Sequence, residues 1–330
     1  MDSVEALAFA RSLIDIDSTT GREAEAGRWL ADHLRRAGYQ VVEQALPRGC
    51  ANIIATLDAP RVVLSTHLDC VPPFFPSDVR DGRLYGRGAC DAKGILAAQV
   101  AAVERLRASG ERRVGLLFVV GEERGSDGAA AANAIPVGSE FLINGEPTDS
   151  RLASATRGVL RVRFIAAGRA AHSAVPEHGE SAIDKLLDAL VWLREVTLPS
   201  DPDLGRTFYS VGLIEGGVAP NVIPARASAE ILFRTVGSAD DLLDVLRGVE
   251  PCVRVEEVLR VPPIRMHTVP GFDAAVFPFT TDVPLLSAWG RPLLFGPGSI
   301  LVAHTDREHV DLDEFYNAVG AYERLARACL

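Results

Sequence analysis

Four short apolar runs in the first half of the chain constrain its fold more than any other feature of the sequence. They are ANIIATL (51–57), RVVLSTHLD (61–69), VGLLFVVGEE (114–123) and EFLINGEP (140–147). Runs of this length and composition are typical of β-strands that are buried on both faces. The segment KGILAAQVAAVERLRASG (93–110) has the apolar spacing of a helix. The order strand, helix, strand predicts an α/β fold with a mostly parallel sheet flanked by helices.

The pattern changes after residue 156. GVLRVRFIAAG (158–168), RTFYSVGLIEGG (206–217) and ARASAEILFRTV (225–236) alternate like strands with one face in water. Two helical segments, residues 181–196 and 239–249, accompany them. We predict that residues 157–261 form a smaller α+β domain, inserted into a larger domain of residues 1–156 and 262–330. The last strand and helix are too few to form a domain of their own.

Composition excludes several classes of protein. A net charge of −10 over 330 residues argues against binding to nucleic acid, which needs clustered Lys and Arg. No apolar run approaches the ~20 residues that span a bilayer. The first residues, MDSVEALAFARSLIDIDS, are acidic and amphipathic, so we predict no signal peptide and a cytoplasmic location. The five cysteines form no C-x-x-C pair, which favours neither a disulfide framework nor a zinc knuckle.

Potential metal ligands follow three of the four apolar runs. Because the carboxyl ends of parallel strands line the ligand crevice of an open α/β sheet, we expect these side chains to converge. Imidazole nitrogen and carboxylate oxygen are zinc ligands. The residues are His67 and Asp69 after the second run, Glu122 and Glu123 after the third, Glu146 after the fourth, and Asp91 in the loop before the predicted helix.

The adjacent carboxylates Glu122 and Glu123 have two interpretations. Acidic residues commonly occupy the first turn of a helix, where they interact with its dipole. Alternatively, side chains at successive positions of an extended segment diverge, so that one can bind a metal while the other faces a bound water. A two-metal hydrolytic site needs both a bridging carboxylate and a separate base. The pair therefore fits such a site.

The chain resembles the dinuclear zinc amidohydrolase and metallopeptidase family, which includes acetylornithine deacetylase, succinyl-diaminopimelate desuccinylase, aminoacylase and glutamate carboxypeptidase. The resemblance covers essentially the whole chain. It is carried by seven motifs in family order: STHLDCVP, GRGACDAKG, GEER, NGEPT, AHSAVPEHGESAI, GGVAPNVIPARA and AHTDREHV. It implies a catalytic α/β domain and an inserted lid domain that forms a homodimer.

The resemblance also implies a ligand set for two divalent metal ions, zinc or alternatively cobalt or manganese. Asp91 would bridge both metals, and the Asp91–Ala92 peptide would be cis. His67 and Glu146 would bind one metal, and Glu123 and His304 the other. Glu122 would be the general base that takes a proton from the metal-bridging water.

Four further residues receive roles from the resemblance. Asp69 would accept the second ring N–H of His67; its alternative role is to cap a turn. His172 would stabilise the oxyanion, unless it is an ordinary loop histidine. Asn221 and Arg234 would bind the α-carboxylate of the substrate. Arg234 has an alternative partner in a neighbouring acid such as Asp240.

The predicted reaction is hydrolysis of the amide of an N-acyl amino acid. The compact chain and the VPPFFP segment favour a deacetylase of N-acetyl-ornithine, N-acetyl-lysine or N-acetyl-citrulline. A desuccinylase or a dipeptidase or carboxypeptidase of the same family is the alternative. A metal-free binding protein is disfavoured because the ligand set and Glu122 are intact. A dinucleotide-binding protein is disfavoured because no G-x-G-x-x-G follows the first strand.

Overall fold

A computed structural model of the chain describes residues 1–250 and 252–330. Contacts divide these residues into two compact units. Unit 1 comprises residues 1–154, 266–275 and 281–330, and unit 2 comprises residues 155–265 and 276–280. The predicted domain division at residues 157 and 261 stays a prediction.

The described residues form seven α-helices and eighteen strands. The helices are α1 (Ser3–Ile14), α2 (Ala24–Arg36), α3 (Lys93–Ala108), α4 (Asp127–Ala132), α5 (Ala182–Glu195), α6 (Ala239–Leu246) and α7 (Leu312–Cys329). The strands are β1 (Gln40–Ala45), β2 (Ala51–Thr56), β3 (Val62–His67), β4 (Asp78–Arg80), β5 (Arg83–Tyr85), β6 (Val114–Val119), β7 (Phe141–Asn144), β8 (Leu152–Thr156), β9 (Gly158–Ala167), β10 (Ser200–Asp201), β11 (Gly205–Arg206), β12 (Phe208–Gly216), β13 (Arg226–Thr235), β14 (Arg254–Val261), β15 (Ile264–Arg265), β16 (Ala274–Phe277), β17 (Arg291–Leu294) and β18 (His309–Asp311).

The main sheet of unit 1 is mixed. Its strand order is β1-β2-β6-β3-β7-β17. The strands β6, β3, β7 and β17 pair in parallel, whereas β2 is antiparallel to both β6 and β1. The sequence predicted an α/β fold with a mostly parallel sheet, and the antiparallel end was not anticipated. Because β1 and β2 are joined by only a few residues, they can pair only as an antiparallel hairpin.

Both faces of this sheet are covered, which explains the uninterrupted apolar runs. In β6, Leu116 and Phe118 pack into the cluster that contains α1, α3 and α7. Their neighbours Leu117 and Val119 pack on the other face, with residues of α4 and Trp289. Since successive side chains of a strand point to opposite faces, a strand covered on both sides carries apolar residues on both faces and shows no alternation.

Unit 2 contains an antiparallel sheet with helices on one face. The strand order is β12-β13-β9-β14, and all three pairings are antiparallel. Alternate residues such as Val162 and Phe164 of β9 and Phe233 of β13 pack with Leu186 of α5 and Leu246 of α6. The alternating sequence pattern of this region thus reflects one buried face. The sequence analysis did not predict β14.

Candidate metal centre

Three parallel strands deliver polar side chains to one edge of the main sheet, as the sequence predicted. His67 is the last residue of β3, and Glu146 follows β7 by two residues. Glu122 and Glu123 lie in a 3-10 turn, Glu122–Arg124, that follows β6. Because β6, β3 and β7 are parallel neighbours, their carboxyl ends meet at this edge.

Asp91 lies at the centre of this group. It belongs to the loop that precedes α3, and the Asp91–Ala92 peptide bond is cis, as predicted. Its Oδ1 lies 2.9 Å from Nε2 of His67, and its Oδ2 lies 3.4 Å from Nε2 of His304. The same nitrogen of His304 lies 3.0 Å from a carboxylate oxygen of Glu123. Ligand atoms of His67, Asp91 and Glu123 are all within 4.8 Å of one another.

The histidines and carboxylates of the cluster shift one another's pKa values. The carboxylates of Asp91 and Glu123 raise the pKa of His304 to about 10. Burial alone would raise the pKa of Asp91, but its contacts with His304 and His67 lower it below the usual range. Imidazole nitrogen and carboxylate oxygen atoms thus lie close together in a compact space. This is the donor arrangement that divalent zinc binds.

Glu146 supplies the observation that most directly indicates a cation site. Its side chain is buried, and Oε1 has no hydrogen-bond partner in the part of the chain that the structure describes. Burial raises the pKa of this carboxyl well above its ordinary value, and the charges of Glu122 and Asp91 raise it further. A buried polar atom without a partner costs free energy. A metal ion bound between Glu146 and His67 would satisfy it, so these residues fit the predicted metal site.

Asp69 orients the turn that carries the adjacent glutamates. Its Oδ1 accepts the backbone N–H of Glu122 at 3.1 Å, and its Oδ2 accepts that of Glu123 at 3.3 Å. Nδ1 of His67 lies 2.9 Å from the backbone oxygen of Asp69 and 3.6 Å from the carboxylate. Nδ1 of His67 is therefore closer to the backbone oxygen of Asp69 than to its carboxylate. The carboxylate of Asp69 instead holds the turn that follows β6.

Glu122 differs from Glu123 in its contacts. Glu123 reaches His304, whereas the carboxylate of Glu122 makes no hydrogen bond within the described residues. Burial raises the pKa of Glu122 well above its ordinary value; the positive charge of His67 opposes this shift, and Asp282 adds to it. A carboxyl with a raised pKa close to metal ligands is suited to proton transfer.

The structure adds three polar residues that sequence reasoning did not assign. Thr20 donates its hydroxyl to Asp69 Oδ2 at 3.0 Å. Asp282 is fully buried, has no partner for either oxygen among the described residues, and has its pKa raised by burial to about 6. Glu308 is buried and accepts the backbone N–H of Asp91. Of these three residues, only Glu308 could have been found from the sequence, because it lies within the AHTDREHV motif.

In unit 2, the structure brings the segments of His172 and Asn221 together. Ser173 donates its backbone N–H to the backbone oxygen of Asn221 at 3.0 Å, and His172 forms a β-bridge with Val222. Nδ1 of His172 accepts the N–H of Ala174 at 3.1 Å. A neutral ring with Nδ1 as acceptor carries its proton on Nε2. Both His172 and Asn221 are exposed, so their side chains are accessible to a ligand.

Arg234 is a half-buried cation on β13. Its guanidinium makes no hydrogen bond or ion pair with any residue that the structure describes. Asp240, its alternative partner in the sequence analysis, instead pairs with Arg260 at 2.9 Å. Burial lowers the pKa of Arg234, since removing the guanidinium from water disfavours its charge. Its guanidinium is therefore available to an anion.

None of the helices in the described residues is both long and apolar enough to cross a membrane.

The sequence model of peptidase family M20/M25/M40 matches residues 63–328. A protein named probable carboxypeptidase from Aspergillus clavatus is 37% identical, over 98% of this chain and 82% of that protein. Two solved structures share the fold. A tripeptidase from Staphylococcus aureus gives a TM-score of 0.85 at 20% identity, covering 100% of this chain and 99% of the other.

The second structure is a dinuclear metal binding peptidase of the M20 family from Bacillus subtilis. It gives a TM-score of 0.74 at 14% identity, covering 98% of this chain and 97% of the other. The match to the family model and the 37% identity both extend over the region of the metal centre. The chain is therefore an enzyme of the peptidase family M20/M25/M40.

Proposed function

We propose that this enzyme hydrolyses the amide bond that joins an acyl or peptidyl group to an α-amino acid with a free carboxylate. The observation that carries the proposal is the contrast between the adjacent glutamates. Glu123 is held against His304, next to Asp91, whereas Glu122 has a carboxylate with no hydrogen bond in the described residues. This is the arrangement that a ligand and a general base require.

The proposed centre would be formed by five residues: His67, Asp91, Glu123, Glu146 and His304. Two divalent metal ions there would polarise the substrate carbonyl and lower the pKa of water toward ~7. Glu122 takes a proton from the attacking water as its oxygen adds to the carbonyl carbon. Glu122 then gives this proton to the amide nitrogen as the C–N bond breaks. It thus acts in turn as general base and general acid.

Residues of unit 2 would bind the substrate. His172 would donate its Nε2–H to the developing oxyanion, a contribution of ~3 kcal/mol for one donor. Asn221 and Arg234 would bind the α-carboxylate, and the planar guanidinium of Arg234 is suited to a bidentate pair. The proposal is supported by the exposure of His172 and by the absence of a partner for Arg234 among the described residues.

Three observations bear on the acyl side of the substrate. A cavity of about 410 Å³ lies against Glu123 and is lined in part by Val71, Pro73 and Phe74. It is within the size range of small-ligand sites. The relative named probable carboxypeptidase favours a peptide whose C-terminal residue is released. The VPPFFP segment favours the deacetylation of N-acetyl-ornithine, N-acetyl-lysine or N-acetyl-citrulline.

We also propose that the enzyme is a homodimer joined through unit 2. Within the residues that the structure describes, β12 is an edge strand that pairs with β13 alone. It exposes large apolar side chains, among them Phe208, Leu213 and Ile214. An exposed apolar edge strand is a surface on which a second chain can pair. In such a dimer, His172 would act at the centre of the partner chain.

The decisive experiment is a hydrolysis screen with metal-loaded enzyme. It compares dipeptides, N-acetyl amino acids and N-succinyl amino acids that share one C-terminal residue, each as the free acid and as the C-terminal amide. We expect cleavage of the free acids. Cleavage of the dipeptides would indicate a peptidase, and cleavage of the N-acetyl amino acids would indicate a deacetylase. Equal cleavage of the amides would contradict recognition of the carboxylate, and no cleavage in any series would refute the proposed reaction.

A further inference from the structure

The carboxylate of Glu308 lies in the interior of unit 1 and belongs to none of the groups assigned to the reaction. Glu308 has no exposed surface, and its ion-pair partner Arg87 is 1% exposed. One carboxylate oxygen, Oε2, is paired with Nη1 of Arg87. Removing two charges from water is costly unless further hydrogen bonds satisfy them. The other oxygen of Glu308 must therefore have partners of its own.

That oxygen, Oε1, accepts hydrogen bonds from three backbone N–H groups of one loop. The donors are Gly88 at 2.9 Å, Cys90 at 3.2 Å and Asp91 at 3.0 Å. Gly88 has a φ of +89°, which helps the loop to direct its N–H groups toward a single acceptor. A Cβ at Gly88 would lie 2.9 Å from Sγ of Cys70, so the turn is also tightly packed. The loop is folded around the Glu308 carboxylate.

The same loop carries the central residue of the metal centre. The carboxylate of Asp91 contacts Nε2 of His67 at 2.9 Å and Nε2 of His304 at 3.4 Å. Glu308 follows His304 by four residues in the sequence. One buried carboxylate therefore connects the backbone of Asp91 to the chain segment of His304.

Arg87 in turn restrains Glu308. Its Nε donates to the backbone oxygen of Pro73 at 3.1 Å, and its guanidinium carbon lies 5.0 Å from the centre of the Phe75 ring. The ion pair is thus anchored on the side away from the loop. Because the Glu308 carboxylate is held in place, the loop N–H groups that donate to it are held in place as well.

We propose that Glu308 is a positioning residue that fixes the Asp91 carboxylate in the orientation that metal binding requires. The proposal rests on the metal centre described above. Groups that orient a metal ligand without touching the metal typically contribute about 10- to 100-fold to metal affinity. Glu308 would act in this way through the backbone of Asp91, and it would not contact substrate.

The test is Glu308→Gln in the full chain, with Co²⁺ as the probe. Glutamine keeps the shape and one acceptor oxygen, but its amide N–H groups would face the donors of Arg87. The side chain must therefore turn or move, and the loop with it. We expect Co²⁺ to bind roughly 10- to 100-fold more weakly. We also expect a changed visible absorption spectrum of the bound Co²⁺, because the geometry at Asp91 changes.

Glu111→Gln is the matched control. Glu111 also accepts two backbone N–H groups, those of Arg112 and Arg113, and it pairs with the guanidinium of Arg113. It precedes β6, so it lies at the amino end of a strand whose carboxyl end carries the metal centre. We expect this variant to keep the wild-type Co²⁺ affinity and spectrum.

A folded Glu308→Gln variant with wild-type Co²⁺ affinity and spectrum would overturn the proposal, even if its thermal stability were lower. If the glutamine variant does not fold, the same two measurements on Glu308→Asp test the proposal. Aspartate keeps the negative charge, but its side chain is one methylene shorter, so the carboxylate lies farther from the loop. Wild-type protein that binds no Co²⁺ would refute the metal centre itself. That result is distinguishable from a failure confined to Glu308.

Discussion

The metal centre of unit 1 and the polar residues of unit 2 differ in how their side chains are held. In unit 1, Asp91 and Glu123 are buried or nearly so and contact the histidines His67 and His304. In unit 2, His172 is exposed, and Arg234 has no partner among the described residues. The side chains of the metal centre are held by contacts with one another. In unit 2, the hydrogen-bond donors of His172 and the positive charge of Arg234 remain available to a ligand.

This difference separates two parts of the proposed activity. Side chains that are fixed by their neighbours keep their geometry without a ligand, as a metal centre requires. Side chains with unused hydrogen-bonding capacity gain most from a bound ligand, and they discriminate against ligands that leave them unpaired. We therefore expect changes at the metal centre of unit 1 to reduce turnover on all substrates, and changes at Arg234 of unit 2 to depend on whether the substrate has a free α-carboxylate.

The largest expected effect is that of Glu122→Gln. Glutamine has the size of glutamate but cannot take a proton from water, so kcat should fall by about 10²- to 10⁴-fold. The loss should be similar for dipeptides and for N-acetyl amino acids, because proton transfer does not depend on the acyl group. Steady-state kinetics on both series measure it. A loss of kcat confined to one substrate series would contradict the expectation that the metal centre of unit 1 acts on all substrates alike.

A smaller and selective effect is expected for Arg234→Ala. It should cost about 2–4 kcal/mol in kcat/KM for a substrate with a free α-carboxylate. The corresponding amide has no charge for the arginine to pair, so its kcat/KM should change much less. The measurement is kcat/KM for the acid and amide of one substrate.

Arg260→Ala is the control for this comparison. Arg260 is a cation at the surface of the same unit, and it already pairs with Asp240 and Glu257. It should leave the ratio of the two kcat/KM values unchanged. Equal losses on acid and amide in Arg234→Ala would give Arg234 a structural role instead.

The smallest expected effect is seen in a mixture of two inactive proteins, Glu122→Gln and His172→Ala. If His172 acts on the partner chain, a mixed dimer has one centre with an intact Glu122 and an intact His172. Random exchange makes about half of the dimers mixed, so activity should recover to roughly a quarter of wild type. Absence of recovery after subunit exchange has been verified would show that His172 does not act on its partner, and would leave the metal centre unaffected.

Much of the strand framework followed from periodicity. The runs that became β3, β6 and β7 place apolar residues at successive positions because both faces of the sheet are covered. The hairpin strand β1 was missed because its QVVEQA sequence is largely exposed and has no clear apolar pattern. The strand β14 was missed for a related reason, since RVEEVLRV exposes much of its length. Edge strands are defined by their neighbours more than by their own residues.

For the candidate site, sequence indicated which residues converge and not how they are held. Ligands at the ends of neighbouring strands converge because the strands are parallel, which is a property of topology. The contacts of Asp69 with the N–H groups of Glu122 and Glu123 depend on the path of a turn, and Asp282 is separated from the ligands by long stretches of chain. No local pattern specifies such contacts.

The most direct test of the account is the metal content of Glu122→Gln compared with that of Glu123→Gln. Both variants neutralise one carboxylate of the same turn, so they are matched in position and in charge. After metal loading and removal of excess metal, elemental analysis should find two metal ions per chain in Glu122→Gln, as in wild type, and fewer in Glu123→Gln. Equal loss of metal from the two variants would contradict the division between base and ligand.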